Sequence, residues 1–203
     1  MKPIDLVLDN VQKQVELSGY SDGDCVFVND LSFTVKHSEY DTPTDANLSE
    51  AKVDFDWFLE SARQGLCISH PNPDNSFIYK FFGSFSYPYG YEWNFRQLKQ
   101  HLTSPDGWRR GILYNPIRAS DPPCVVCYQF QVIKGLVNCT VTMRSSDVYK
   151  VLPQDVVMTR LLLEHVSNLL ELPAGDMIFN IGNAHAYYTD MQFVEEFTYD
   201  WGD

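Results

Sequence analysis

Cys124 follows Pro122-Pro123 and stands just ahead of a strand-forming run, so a rigid turn would present its thiol at the end of a strand. A thiol attacks as the thiolate, and a neighbouring cation favours that form. Arg144, at the far end of the next β run, is placed to supply it. Taken alone, a cysteine is more often a small buried hydrophobe than a nucleophile. Arg109, Arg110, Arg118 and Arg144 fall in one stretch of an acidic chain, either as solvated surface groups or as a local site for one phosphate. His185 and Tyr187, two apart in a β run, face one side and could together bind a hydroxyl. Cys124-x-x-Cys127 is not read as a zinc site, because strand alternation sends residues three apart to opposite faces and no second cysteine pair follows. No metal is expected, and neither a nucleophile elbow nor a phosphate-binding glycine loop is present.

The elements that must carry these residues follow from periodicity. Residues 25–35 place two β runs around Asn29-Asp30, which predicts an early hairpin. Residues 37–50 read as a loop, and 51–64 as a helix with Val53, Trp57 and Phe58 at helical spacing. Residues 74–95 are rich in aromatics with Gly and Pro punctuation, suited to strand ends and a shaped wall. Runs 125–133 and 136–144 flank Lys134-Gly135 and predict an antiparallel hairpin. Residues 153–171 form the strongest helix, with Pro153 at its start, Asp155 in its first turn, and Pro173 and Gly175 beyond its end. A last strand is expected over 176–188.

With 203 residues, 44% of them hydrophobic, the chain can bury one sizeable core, and a single domain over 1–203 is expected. A formal charge of −12 argues against binding a nucleic-acid backbone. Five irregularly spaced cysteines without a signal peptide fit a reducing cytoplasm, and no apolar run approaches the ~20 residues needed to span a bilayer.

Several ordered motifs resemble the thymidylate synthase family. Pro122-Pro123-Cys124 with Gln129-Phe130, Arg144-Ser145-Ser146-Asp147, Gly182-Asn183-Ala184-His185-Ala186-Tyr187, Tyr89-Gly90-Tyr91-Glu92-Trp93 and the pair Arg109-Arg110 keep the family's order and spacing. The resemblance implies an α/β (α+β) fold with a mixed, mainly antiparallel sheet covered by helices, and a homodimer packed through the sheets. It implies Cys124 as the nucleophile on C6 of a pyrimidine nucleotide, and 5,10-methylenetetrahydrofolate as co-substrate. Arg144, with Arg109 and Arg110 from a second subunit, would hold the phosphate. Ser145 and Asp147 would line the nucleotide site, His185 and Tyr187 would bind the sugar hydroxyl, and Tyr89 would help move the C5 proton. Asp54 and Trp57 would stand on the folate side.

Departures from the family sharpen the expectation. Asp155 replaces the family's Asn and Met143 its Gln, changes like those of the deoxycytidylate hydroxymethylases, which Arg109-Arg110-Gly111-Ile112 also resembles. An amide donates and accepts, matching uracil O4 and N3-H, whereas a carboxylate accepts and so matches the cytosine amino group. The bland alternative is that Asp155 only stabilises its helix N-terminus. The expected reaction is conversion of dCMP to 5-hydroxymethyl-dCMP, with CMP hydroxymethylation or C5 methylation as close alternatives. Asp54, in place of the family's Glu, and the short run after Asp190 leave open a catalytically silent nucleotide-binding homologue.

Overall fold

The computed structural model describes residues 2–66, 68–78, 92–105, 108–115 and 122–191. Its centre is a mixed sheet of β1 (Tyr20–Asp22), β2 (Cys25–Val35), β3 (Ile112–Tyr114), β4 (Val125–Ile133), β5 (Leu136–Met143), β6 (Ser146–Asp147) and β7 (Ala174–Tyr187). The strands run in the order β1-β2-β7-β5-β4-β3, with β6 beside β7. All pairs are antiparallel except β5/β7 and β6/β7. The β4/β5 hairpin forms as expected: Lys134 (φ 53°) and Gly135 (φ 79°) both take the left-handed conformation that a two-residue turn requires.

Among the described helices, α1 (Pro3–Ser18) buries Ile4, Leu8, Val11 and Val15, a spacing not singled out from sequence. In α2 (Leu48–Gln64), Asn47 caps the amides of Ser49 and Glu50, and Ala51, Asp54, Phe55, Phe58 and Ser61 share the buried face. The helix thus begins inside the span expected to be loop. α3 (Phe95–Thr103) begins on the last residue of the aromatic stretch 74–95, with Asn94 as its cap and Leu98 and Leu102 buried. α4 (Leu152–Leu170) matches its expectation closely and links the parallel pair β5 and β7. None of these helices is long and apolar enough to cross a membrane.

The expected hairpin at Asn29-Asp30 is corrected: 25–35 is one strand, paired with β7 from Cys25↔Tyr187 to Val35↔Met177. The turn signal was locally sound, since Asp30 has φ 58°, but long-range pairing keeps the chain extended around it. Pairing skips Asp30 and the facing Gly182 without changing register. Burial changes parity there in both strands, from Val26, Ala184 and Ala186 on one side to Leu31, Val35, Met177, Phe179 and Ile181 on the other.

Helices cover the face lined by Leu31, Val35, Val137, Cys139, Val141, Met177, Phe179 and Ile181. The opposite face carries Ser32, Thr34, Gln129, Thr140, Thr142, Ile178 and Asn180, with Ile112 and Tyr114 about half exposed at one edge. Within the core Phe33 stacks on Phe179 at 4.9 Å between ring centres. Phe179→Ala is expected to cost ~3–5 kcal/mol, read as a lower urea midpoint at an unchanged slope.

Candidate active site

Cys124 is held where the sheet ladder breaks. Val125 pairs with Met143 but Cys127 with Thr142, so Val126 is an extra residue that bulges β4. Asn115, itself buried, satisfies the bulge: its side-chain amide donates to the Val125 carbonyl at 2.9 Å and its backbone N–H to the Val126 carbonyl at 2.9 Å. Trp93 in turn donates its indole N–H to Asn115 Oδ1 at 3.1 Å. Sequence reading found Trp93 but not Asn115, which is distant in sequence and in no motif. The bulge also corrects the strand-alternation argument for Cys124 and Cys127, since alternation does not carry through Val126. Among the described residues, no three His, Cys, Asp or Glu side chains are grouped to hold a metal ion.

Arg144 closes around the cysteine. Its backbone N–H donates to the Cys124 carbonyl at 2.8 Å, its Nε to the Pro122 carbonyl at 3.0 Å, its Nη1 to Ser145 Oγ at 3.0 Å, and its Nη2 lies 3.8 Å from Cys124 Sγ. Gly182 makes room for this segment, because a Cβ there would sit 3.0 Å from the Arg144 carbonyl oxygen.

One cavity brings Cys124 together with Asp54 of α2 and Asp155 of α4, walled by Phe58, Phe77, Ile78, Tyr128, Val151, Gln154 and Met158. Val151, Gln154, Asp155 and Met158 recur at helical spacing, a signal that could have extended the site from Asp155. Asp54 is 1% exposed. Its Oδ1 accepts from Ser76 Oγ and from His70 Nε2 at 3.1 Å, and its Oδ2 from the Ile78 N–H at 3.2 Å. Burial raises its proton affinity, against the pull of these donors. Trp57 lies behind this wall, buried, with its indole N–H given to the Ile68 carbonyl at 2.9 Å.

Asp155 is partly buried, and its Oδ2 has no hydrogen-bond partner among the described residues. Burial pushes its carboxyl up to about 7, with the Ser146 hydroxyl opposing. Asp147 accepts the Tyr149 and Lys150 amides on Oδ1, each at 3.0 Å, while its Oδ2 is buried without such a partner. It pairs across β6/β7 with His185, whose Nδ1 is likewise unpartnered among the described residues and whose ring meets Tyr187 edge-on at 5.6 Å. Arg109 and Arg110 are exposed in a short turn before β3, and Tyr89 and Arg118 lie outside the described residues.

The raised Asp155 carboxyl makes a stability prediction. The folded state holds its proton more tightly than the unfolded chain, so its contribution is full below the unfolded value near 3.8 and is lost as pH rises through about 7. Asp155→Asn should therefore be more stable than the parent at pH 8 and lack this slope in denaturant midpoints measured from pH 5 to 8.

The thymidylate synthase family model matches residues 92–198. Thymidylate synthases from the Dugway and Henzerling II strains of Coxiella burnetii are each 30% identical over 103 residues, covering 49% of this chain and 39% of the relative. The match thus spans about two fifths of the length of these curated relatives. It takes in Trp93, Arg109, Arg110, Cys124, Arg144, Asp155, His185 and Tyr187, while the α2 segment bearing Asp54 precedes it. With a family match over more than half its length and the expected mixed sheet beneath it, the chain belongs to the thymidylate synthase family.

Proposed function

We propose that the protein is a C5 hydroxymethyltransferase acting on dCMP. The observation that carries this reading is the shared cavity of Cys124, with the Arg144 guanidinium beside it, and Asp155. A cation within reach of the sulfur favours the thiolate, and addition of that thiolate to C6 of a pyrimidine makes C5 nucleophilic. Asp155 reads the base edge: ionised, it accepts from the cytosine amino group, and protonated, it also donates to N3. Uracil would set its O4 against the ionised carboxylate, a mismatch worth ~1–3 kcal/mol, roughly ten- to a hundredfold in preference.

Phe58, Phe77, Ile78 and Met158 line the cavity with flat or adaptable apolar surface of the kind a reduced pterin packs against, and this lining supports folate as co-substrate. Bound there, 5,10-methylenetetrahydrofolate supplies the one-carbon unit that C5 takes up. The net conversion is dCMP plus methylenetetrahydrofolate plus water to 5-hydroxymethyl-dCMP plus tetrahydrofolate, which is redox-neutral. Asp54 exchanges protons with water and substrate, and Cys124 leaves C6 at the end with its bonding electron pair. Arg144 holds the phosphate, Ser145 and Asp147 line the nucleotide site, and His185 with Tyr187 binds the sugar hydroxyl. The sheet face left open by the helices, bordered by exposed Ile112 and Tyr114, supports pairing with a second copy. That copy would receive Arg109 and Arg110 at its phosphate site.

The decisive assay is tritium release from 5-labelled dCMP, CMP and dUMP with methylenetetrahydrofolate. Release from dCMP with a product gaining CH2O supports the reading; preference for dUMP, or a product gaining CH2, overturns it. Cys124→Ser should abolish release. Asp155→Asn should move preference toward dUMP by roughly ten- to a hundredfold. In the parent, discrimination against dUMP should sharpen as pH rises through about 7 and the carboxylate ionises.

A further inference from the structure

The protonation of His70 can be assigned from its partners. Its side chain is fully buried, and the Asn72 N–H donates to its Nδ1 at 3.1 Å. That nitrogen is therefore an acceptor, so the ring proton resides on Nε2 and points at Asp54 Oδ1, 3.1 Å away. The ring is fixed on its other side by Trp57, edge-on at 4.6 Å between ring centres. Ser76 donates to the same oxygen of Asp54, and the Ile78 amide to the other.

Asp54 is thus a buried carboxyl whose donors among the described residues, His70, Ser76 and the Ile78 amide, are all neutral. Neutral donors favour the carboxylate without cancelling its charge, and burial favours the acid, so the group stays open to either state. A group that must both take and return a proton needs that balance. A Lys or Arg in the place of His70 would lock the carboxylate in its ionised form. Among the described residues, the other titratable groups on this cavity are Asp155, Cys124 with Arg144 behind it, and Tyr128. Asp155 acts in the same direction as burial, since two ionised carboxylates on one cavity disfavour each other.

We propose that His70 and Ser76 are positioning residues that aim the Asp54 carboxyl into the cavity and set its proton affinity. The assignment rests on the reaction proposed above, and its test has a readout independent of turnover.

The carboxyl of Asp54 would be titrated by 13C NMR in aspartate-labelled protein without folate, with Asp54→Asn giving the assignment. The same variants would be followed through the pH dependence of kcat/KM for tritium release from dCMP. His70→Leu, which removes the donor, should raise the Asp54 titration midpoint and carry the acid limb of the profile upward with it. Its kcat should fall ~100-fold while KM for dCMP changes little. His70→Gln, which can present an N–H near the Nε2 position, should restore both titration and profile most of the way. Ser76→Ala should shift the midpoint in the same direction as His70→Leu, and it carries the test if the leucine variant does not fold. An unmoved Asp54 midpoint in folded His70→Leu or Ser76→Ala overturns the proposal, as does a loss confined to KM. If the parent turns over no pyrimidine, the reaction assignment falls, while the NMR titration still decides whether His70 and Ser76 govern Asp54.

Discussion

The site depends on one close backbone approach, the Arg144 segment lodged between Cys124 and Gly182. Its N–H bonds the Cys124 carbonyl at 2.8 Å, and its own carbonyl oxygen lies 3.0 Å from where a Cβ on residue 182 would sit, a contact tighter than side chains ordinarily make. Irregularities in three strands meet there: the extra Val126 in β4, and the skipped pair Asp30 and Gly182 in β2 and β7. An unbroken ladder would continue side-chain alternation past the cysteine. The break frees the Pro122–Cys124 turn to present the thiol while the guanidinium beside it remains tied to the same turn through the Pro122 carbonyl.

A chain of formal charge −12 builds this cavity from two carboxyls and a thiol, with one arginine beside the sulfur. That is an expensive arrangement for a merely structural core, because each buried carboxylate pays desolvation that neutral donors only partly repay. Asp54 receives three hydrogen bonds, whereas Asp155 keeps an oxygen without one. The two acids therefore differ in kind. One is surrounded and held, and the other is left with capacity for a ligand.

The parts of the fold legible in sequence were those fixed by local rules. Lys134-Gly135 specifies its own turn, Pro153 and the apolar spacing specify α4, and the hairpin returned Arg144 to the neighbourhood of Cys124. Asp30 shows the limit: its left-handed backbone reads as a turn, but ten paired residues of β7 outweigh it and keep β2 continuous. Asn115, His70 and Ser76 were not legible because their roles arise from contacts returning across the chain. His70 is 16 residues from Asp54 and Asn115 is 22 from Trp93. No periodicity records such meetings. Helix α1, by contrast, is legible in the helical spacing of Ile4, Leu8, Val11 and Val15.

The separation of the two acids is itself set by a contact. Gln154, beside Asp155 and buried, accepts the Asn47 N–H on Oε1 at 3.1 Å and donates through Nε2 to the Asn47 carbonyl at 3.3 Å. Asn47 meanwhile caps the helix that carries Asp54. The start of α2 is thereby clamped to the first turn of α4, so the two helices cannot slide without breaking a paired backbone contact and uncapping α2. Neither helix alone makes the cavity: α2 brings the Asp54 carboxyl and α4 that of Asp155. The Gln154 clamp holds them at a shared spacing across the cavity from the thiol.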